Sequence, residues 1–139
     1  MKTVYAYVCG DILHKGHVLH LKNSKKFGEL LIVGVLTDEA VMEKKKRPTL
    51  PFDERLFLVS ELKCVDMAVP QDTYSPLSNV KSIRPDILME SESHDDKEIA
   101  RIRSIVTEMG VKTIVMPYYP VQSSTKIKER IRNGEKNTK

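Results

Sequence analysis

Short apolar segments alternate with longer amphipathic segments along almost the whole of this 139-residue chain, and no other feature restricts its fold as strongly. The apolar segments are rich in Val, Ile and Leu and lack regular polar alternation, which is typical of strands buried on both faces of a parallel sheet. They predict strands at 3–9, 30–36, 65–69, 86–89 and 112–116. The amphipathic segments predict helices at 16–27, 52–63, 76–83, 95–109 and 123–132, each ending where a helix commonly ends.

Strands that alternate with helices predict a sheet of parallel strands joined by crossover helices. We therefore expect an α/β fold, a Rossmann-like doubly wound parallel sheet of about five strands with helices on both faces. The length fits one domain over 1–134, followed by a polar C-terminal tail over 135–139. Sheets of this kind bind ligands at the carboxyl ends of their strands, so the loop after the first strand is a candidate site.

Composition narrows the class of protein. The longest apolar run, 30–36, is far shorter than the roughly 20 residues of a membrane-spanning helix, and Asp11 interrupts the apolar start of the chain. Cys9 and Cys64 lie far apart, in or beside apolar segments, which favours reduced, buried thiols in a cytoplasmic protein. The net charge of +4 is compatible with a phosphorylated or nucleotide ligand and too small to indicate nucleic acid by itself.

Three of the four histidines fall within seven residues, soon after the first predicted strand. His17 and His20 share one face of the next predicted helix, and His14 precedes it in the loop. Gly16 leaves room for an anion to approach the backbone amides at the helix N-terminus. The cluster therefore predicts a phosphate site in which imidazoles donate to a reacting phosphorus centre.

Two alternatives to a phosphate site stay open for this cluster. The His-x-x-His spacing could form half of a metal site, with Asp11 or His94 as a further ligand. Asp11 and His14 could also serve only to cap the loop and helix, with His20 packing or contacting solvent.

Residues 11–17, Asp-Ile-Leu-His-Lys-Gly-His, resemble the signature of the cytidylyltransferase-like nucleotidyltransferases, in which an aspartate precedes His-x-Gly-His. Residues 122–126, Gln-Ser-Ser-Thr-Lys, resemble the segment that opens the last helix in that family. Segments 37–39, 44–46 and 53–55 match the family in the same order. The resemblance runs from residue 1 to about residue 134. It implies a reaction in which an acceptor phosphate attacks the α-phosphorus of a nucleoside triphosphate and pyrophosphate leaves.

The resemblance also implies roles for individual residues. The family's matching histidines contact the phosphate undergoing substitution and its matching lysines approach the reacting phosphates, so the expected catalytic residues are His14, His17, Lys44 and Lys46. Nucleotide or phosphate binding is expected of Cys9, Gly10, Asp11, Gly16, Arg55, Ser123, Ser124 and Thr125. Substrate contacts are expected of Asp38, Glu92, His94 and Tyr118. The expected cofactor is Mg²⁺ that arrives with the triphosphate, and no protein ligand is assigned to it.

Structural explanations compete with several of these roles. The basic run 44–47 could be a solvated face, and the hydroxyls of 123–125 could be helix N-caps. Arg55 could pair with an acidic neighbour in its own helix. Asp11 and Asp38 could either orient backbone or bind Mg²⁺ through water.

The sequence departs from the family pattern where base and acceptor are chosen. Residues 8–11 read Val-Cys-Gly-Asp, Tyr118 replaces an arginine, and 91–94 read Ser-Glu-Ser-His in place of a Gly-Asp-Asp-Trp-like segment. The chain resembles glycerol-3-phosphate cytidylyltransferases and the cytidylyltransferase-like domains associated with phosphoenolpyruvate mutase. Its Asp-Ile-Leu-His segment is also similar to the adenylyltransferases of ADP-heptose synthesis, a lipopolysaccharide-core pathway, and archaeal FAD synthases share a similar scaffold.

We expect an enzyme that transfers a nucleoside monophosphate, CMP in preference to AMP, from CTP or ATP to a phosphorylated or phosphonylated small alcohol. One alternative is ATP-dependent adenylyl transfer of the ADP-heptose or FAD-synthase type. Another is a non-catalytic module that binds nucleotide or nucleic acid, although no aromatic residues interleave the basic residues near the C-terminus. The expected partners are the triphosphate and a phosphorylated small-molecule acceptor, with no nucleic acid and no membrane, and the family resemblance implies a homodimer.

Overall fold

The structure is a computed structural model that describes residues 1–92, 94–117 and 124–133. These residues contain five strands and six helices. The strands are β1 (Thr3–Val8), β2 (Leu30–Leu36), β3 (Met67–Gln71), β4 (Ile87–Ser91) and β5 (Lys112–Met116). The helices are α1 (Lys15–Lys25), α2 (Asp38–Met42), α3 (Phe52–Ser60), α4 (Leu77–Ile83), α5 (Asp96–Glu108) and α6 (Ser124–Asn133).

The five strands are parallel and lie in the order β3-β2-β1-β4-β5. The chain moves outward from β1 to β3 on one side, and then places β4 and β5 on the other side of β1. The direction of winding therefore reverses between β1 and β4, where the flanking connections diverge and leave a crevice at the carboxyl ends of the strands. The doubly wound parallel fold expected from the sequence is confirmed.

Alternate side chains of β1 enter two different cores, one on each face of the sheet. Val4 and Ala6 pack in the core that α1 and α3 cover. Tyr5 and Tyr7 point the other way, into the core that α2, α4 and α5 cover. Helices thus lie on both faces, as predicted, and the central strand is buried from either side.

Several element bounds differ from the prediction for physical reasons. Strand β4 continues through Glu90 and Ser91, which hydrophobicity alone excludes because both side chains are polar. Strand β3 begins at Met67, two residues later than predicted. The sequence pattern does not predict α2, because its five residues are too few to show a helical period. The hydroxyl of Thr37 caps it by accepting from the amide of Ala40 at 3.2 Å.

Three further expectations concern the thiols, membranes and the tail. Cys9 and Cys64 are free thiols, and both are partly rather than fully buried. The described part of the chain has no helix with the length and apolar character needed to cross a bilayer. The predicted tail, 135–139, and residue 134 lie outside the described residues.

Gly34 of β2 leaves the space that the Tyr5 side chain of β1 fills. Tyr5 donates from Oη to Oε1 of Gln71 at 2.5 Å and accepts from Nδ2 of Asn79 at 2.9 Å, which fixes the ring across the glycine. A Cβ atom at position 34 would lie 1.9 Å from Tyr5 Oη. We expect Gly34→Ala to lower the free energy of unfolding by about 1–3 kcal/mol, the range typical of overpacked cores, in a denaturant titration.

The same substitution in a Tyr5→Phe background is the matched control. Phenylalanine lacks the oxygen nearest to the new methyl group, so the alanine should cost less free energy there than in the wild type. An unchanged free energy of unfolding for Gly34→Ala would contradict this account of the packing.

Candidate active site

A cavity of about 610 Å³ opens at the crevice between the carboxyl ends of β1 and β4. Tyr7 and Cys9 line it from the β1 side, and Met89 and Glu90 line it from β4. The other walls come from the start of α1, the basic segment 44–48, the loop before α4, one face of α5, and α6. The volume lies in the range of sites that bind small molecules.

His14 and His17 cap the N-terminus of α1 reciprocally, and both line the cavity. Nδ1 of His14 accepts from the amide of Gly16 at 3.0 Å, and Nδ1 of His17 accepts from the amide of His14 at 3.3 Å. The two ring centroids are 4.0 Å apart. A neutral imidazole that accepts at Nδ1 carries its proton at Nε2, so each ring keeps one N–H donor for a ligand. The capping role therefore orients the rings and is compatible with phosphate binding.

The imidazoles at the start of α1 are held in the neutral form. Burial, assisted by the neighbouring rings of His14 and His20, lowers the pKa of His17 to about 4. Burial also lowers the pKa of His14. His20 lines the cavity as well, and burial followed by the charge of His94 lowers its pKa. These side chains can therefore meet a phosphate at pH 7 as neutral hydrogen-bond donors.

Asp11 joins three segments at the rim of the cavity. Its carboxylate is 5% exposed and accepts from the amides of Thr49 at 3.0 Å and Leu50 at 2.9 Å, and from the ammonium group of Lys128 in α6. Burial alone would raise the pKa of Asp11, but these donors outweigh burial and lower the pKa below its ordinary value. Of the two explanations for Asp11, the contacts support orientation of the backbone.

Arg55, expected from the sequence to bind phosphate, is fully buried and does not line the cavity. Its guanidinium donates to the carbonyls of Leu50, Cys9 and Leu36 at 3.0, 2.7 and 2.7 Å. Asp38, expected to contact substrate, accepts from Arg55 at 2.6 Å and likewise lies outside the cavity lining. Arg55 is thus a structural cation that ties the ends of β1 and β2 to the segment before α3.

The basic segment 44–47 forms one rim of the cavity, and its four side chains are exposed. Lys44 and Lys46, expected to be catalytic, therefore lie beside the cavity that His14 and His17 line. The Nζ atom of Lys44 lies 5.4 Å from the ring centroid of Tyr74, over its face. A solvated surface and a phosphate contact are compatible here, because an open rim is wet until a ligand enters.

Two of the three small residues expected at the phosphate site line the cavity, Cys9 and Gly16. Burial raises the pKa of the Cys9 thiol, so it stays protonated and is a poor nucleophile. Gly10 is buried behind the cavity surface, where it adopts a φ of +69° and a Cβ atom would meet Val59 at 3.3 Å. The positive φ of Gly10 explains why a glycine stands in the turn after β1.

Sequence reasoning misses a buried carboxylate, that of Glu90, at the β4 end of the cavity. Glu90 is 1% exposed, and its Oε1 accepts from Oη of Tyr7 at 2.7 Å and lies 3.1 Å from Nδ1 of His94. His94 was expected to contact substrate, and it lines the cavity. The sequence signal that could have identified Glu90 is a carboxylate directly after the apolar residues of β4. Lys128 of α6, which lines the cavity and donates to Asp11, is missed as well.

The remaining predicted residues are outside the cavity lining or outside the described residues. Glu92 is exposed and does not line the cavity. Tyr118 and Ser123 lie outside the described residues, as do the side chains of Ser124 and Thr125, the first two residues of α6. Among the described residues, no group of three or more His, Cys, Asp and Glu side chains is arranged to hold a metal ion.

Comparison with known proteins assigns the chain to a family. Residues 8–130 match the family model described as cytidylyltransferase-like. The chain belongs to this family. The resemblance drawn from the sequence motifs is thereby confirmed, and the match indicates a nucleotidyltransferase.

Two curated relatives of this cytidylyltransferase-like chain are bifunctional HldE proteins. HldE of Helicobacter acinonychis is 35% identical over 135 residues, which are 96% of this chain and 28% of that protein. HldE of Helicobacter pylori strain Shi470 is 36% identical over 133 residues, which are 94% of this chain and 28% of that protein. The chain thus spans little more than a quarter of the length of these relatives.

Solved structures of similar proteins share the fold. The lipopolysaccharide core biosynthesis protein of Thermoplasma volcanium GSS1 is 32% identical, with a TM-score of 0.75 over 88% of this chain and 99% of that one. Pantoate-beta-alanine ligase of Francisella tularensis has a TM-score of 0.64 at 16% identity, over 96% of this chain and 70% of that one, and shows the shared fold alone.

The low pKa of His17 predicts how stability depends on pH. The unfolded chain binds a proton at this histidine near its ordinary pKa of 6.5, whereas the folded chain binds it only at about 4. Because the unfolded state takes up the proton first, the free energy of unfolding should fall as pH drops from about 6.5 to about 4. Titration of the imidazole resonances by NMR should give His17 a pKa near 4, and a midpoint near 6.5 would contradict the burial of this ring.

Arg55 is predicted to contribute far more stability than a neighbouring arginine that shares its partner. Arg55→Met leaves three carbonyls and Asp38 without their donor, so we expect a loss of about 3 kcal/mol or more in the free energy of unfolding. Arg47, 70% exposed and 3.7 Å from the same carboxylate, is the matched control, and Arg47→Met should cost less than about 1 kcal/mol. Equal losses for the two variants would refute the structural role of Arg55.

Proposed function

We propose that this chain transfers the adenylyl group of ATP to the phosphate of a small phosphorylated acceptor and releases pyrophosphate. The observation that carries the proposal is the pair of Nε2–H donors of His14 and His17, which the reciprocal cap holds in the cavity at the switch in strand order. Neutral donors in fixed positions suit a reaction whose transition state gathers negative charge on phosphoryl oxygens.

In the proposed reaction, an oxygen of the acceptor phosphate attacks the α-phosphorus of ATP. A new phosphorus–oxygen bond forms, the bond from the α-phosphorus to the bridging oxygen breaks, and the electron pair leaves with pyrophosphate. ATP enters as its magnesium complex, so the metal ion is part of the substrate. The imidazoles of His14 and His17 donate to the oxygens on the α-phosphorus, and no covalent intermediate with the protein is needed.

In this proposal the cationic rim attracts the negatively charged phosphates of both substrates. Lys44, Lys45, Lys46 and Arg47 lie along one edge of the cavity that the imidazoles line. We assign Lys44 and Lys46 to the reacting phosphates because the resemblance gives them that role. Lys128 lines the cavity from α6, but its ammonium group already pairs with Asp11, so it contributes mainly by fixing α6 beside the loop after β1.

The relatives favour adenylyl transfer over the CMP transfer that we expected first from the sequence. Their names are bifunctional protein HldE and a lipopolysaccharide core biosynthesis protein. This agrees with the adenylyltransferases of ADP-heptose synthesis, which the Asp-Ile-Leu-His segment resembles. We therefore place a sugar phosphate first among the acceptors to be tested.

The test is pyrophosphate release with ATP and with CTP, each combined with a panel of sugar 1-phosphates and sn-glycerol 3-phosphate. We expect release with ATP and a sugar phosphate at a higher kcat/KM than with CTP. Faster release with CTP would reassign the nucleotide. No release with any pair would refute the proposed transfer.

His17→Ala is predicted to lower kcat by about 100-fold, because it removes one fixed donor to the charge that develops on the α-phosphate. Lys15→Ala is the matched control: Lys15 lies in the same motif but is exposed and does not line the cavity, so its kcat should stay within about threefold of wild type. Circular dichroism should show that both variants are folded. A fully active His17→Ala enzyme would remove His17 from the proposed chemistry.

A further inference from the structure

Glu90 is a buried carboxylate that uses only half of its hydrogen-bonding capacity. Its side chain is 1% exposed and lines the cavity. Oε1 accepts from Oη of Tyr7 at 2.7 Å and lies 3.1 Å from Nδ1 of His94, whereas Oε2 has no partner among the described residues. A buried acceptor that stays unpaired is unfavourable, and one at a ligand cavity is satisfied when a ligand brings a donor.

Two rings, those of Tyr7 and His94, contact this carboxylate, and the ring of Tyr74 lies beside His94. We call these four residues, Glu90, Tyr7, His94 and Tyr74, the Glu90 subsite. The ring of Tyr7 stacks on that of His94 with 5.4 Å between centroids, and Tyr74 lies 6.3 Å from His94. All four residues line the same cavity as His14 and His17. One part of the cavity thus carries imidazole and lysine groups that can donate hydrogen bonds to a phosphate. The other part carries a carboxylate and the surfaces of aromatic rings.

A phosphate group does not suit the Glu90 subsite, because the buried carboxylate would repel it. A ligand that occupies both parts of the cavity therefore places its phosphate at the imidazoles and lysines and an uncharged or cationic donor at Glu90. Two kinds of small phosphorylated acceptor carry such a donor. A polyol phosphate carries hydroxyl groups, and a phosphorylated amino alcohol carries an ammonium group.

Hydroxyl groups fit the subsite better than an ammonium group does. The face of Tyr74 that could hold a cation already has Lys44 over it, with Nζ 5.4 Å from the centroid. Of the other acids at the cavity, Glu98 pairs with Arg101 at 2.6 Å, and Asp95 caps α5 by accepting from the amide of Lys97 at 3.1 Å. An ammonium group that pairs with Oε2 would bring a second cation into the subsite that already holds the Lys44 ammonium group over Tyr74, whereas a hydroxyl group donates to Oε2 without adding positive charge.

We propose that the Glu90 subsite binds hydroxyl groups of the acceptor and so selects a polyhydroxylated phosphate, that is, a sugar phosphate, over a phosphorylated amino alcohol. This inference rests on the proposed function for its choice of acceptor and adds the residue that recognises it. Glu90 is a specificity residue in this assignment: it contacts the acceptor away from the reacting phosphate.

The first experiment measures equilibrium binding of the acceptor alone by isothermal titration calorimetry, which does not depend on turnover. The probes are glucose 1-phosphate, mannose 1-phosphate, their monodeoxy analogues and phosphoethanolamine, and the proteins are wild type, Glu90→Gln and Glu108→Gln. Glu108 is exposed on α5 outside the cavity lining, so it receives the same chemical change as a matched control.

We expect wild type to bind a hexose 1-phosphate about tenfold or more tightly than at least one of its monodeoxy analogues and than phosphoethanolamine. Glu90→Gln should lose most of this difference, and Glu108→Gln should keep it. Phosphoethanolamine binding as tightly as the hexose phosphates would overturn the proposal, as would a difference that persists in Glu90→Gln.

A second variant keeps the test decisive if Glu90→Gln does not fold. Tyr7→Phe keeps the ring and removes the hydroxyl that donates to Oε1 of Glu90, so it should weaken hexose phosphate binding by a smaller factor. The comparison of ligands on the wild-type protein needs no variant at all.

Steady-state kinetics separate this inference from the proposed function. With a hexose phosphate that supports pyrophosphate release, Glu90→Gln should raise KM for the acceptor about tenfold and leave KM for ATP within about threefold. A change confined to KM for ATP would place the nucleotide at Glu90 and overturn the inference while the transfer reaction stands. Selective hexose phosphate binding without pyrophosphate release would support the subsite and refute the transfer.

Discussion

The buried guanidinium of Arg55 is the interaction on which the architecture of the cavity depends. It donates to the last carbonyl of β2, at Leu36, to that of Cys9 after β1, and to Leu50 before α3. The amide of Leu50 donates in turn to Asp11, so Leu50 is held through both its carbonyl and its amide. Because a buried cation is costly unless its donors are all satisfied, these segments are fixed relative to each other, and the basic rim that ends at Pro48 is held against the cavity.

This network marks the boundary of what the sequence can predict. The grouping of His14, His17 and Gly16 at the cavity after β1 could be predicted, because they are close in sequence and lie at the N-terminus of one helix. The role of Arg55 could not, because its carbonyl partners lie 5, 19 and 46 residues away and backbone carbonyls leave no trace in residue types. An arginine near acidic neighbours looks the same in sequence whether it faces solvent, phosphate or the core.

Glu90 shows a second reason why the site was predicted only in part. Apolar runs identify buried strands, so a strand that ends in a carboxylate is predicted to stop too early, here at Met89. Its neighbours in the cavity, Tyr7 and His94, come from β1 and from the loop before α5, and only the pairing of β1 with β4 brings them together. The strand order that creates the crevice also brings these three residues together. Strand order is a property of the topology and cannot be inferred from the residue types of a single strand.

Two kinds of group at the cavity, the cationic rim and the neutral imidazoles, divide the electrostatic task of the proposed reaction. In the proposed reaction the triphosphate and the acceptor phosphate carry several negative charges, and the rim lysines would attract them in the ground state as well as in the transition state, which favours binding more than rate. The neutral imidazoles add no net charge, yet their N–H groups are fixed at Nε2 by the bonds that Nδ1 accepts. A fixed dipole gains most when charge builds up on the atom it faces, so in the proposed reaction the neutral imidazoles of His14 and His17 would act mainly on the transition state. The burial that lowers the pKa of His17 also preserves the orientation that the proposed reaction needs, because a cationic ring would lose its Nδ1 acceptor.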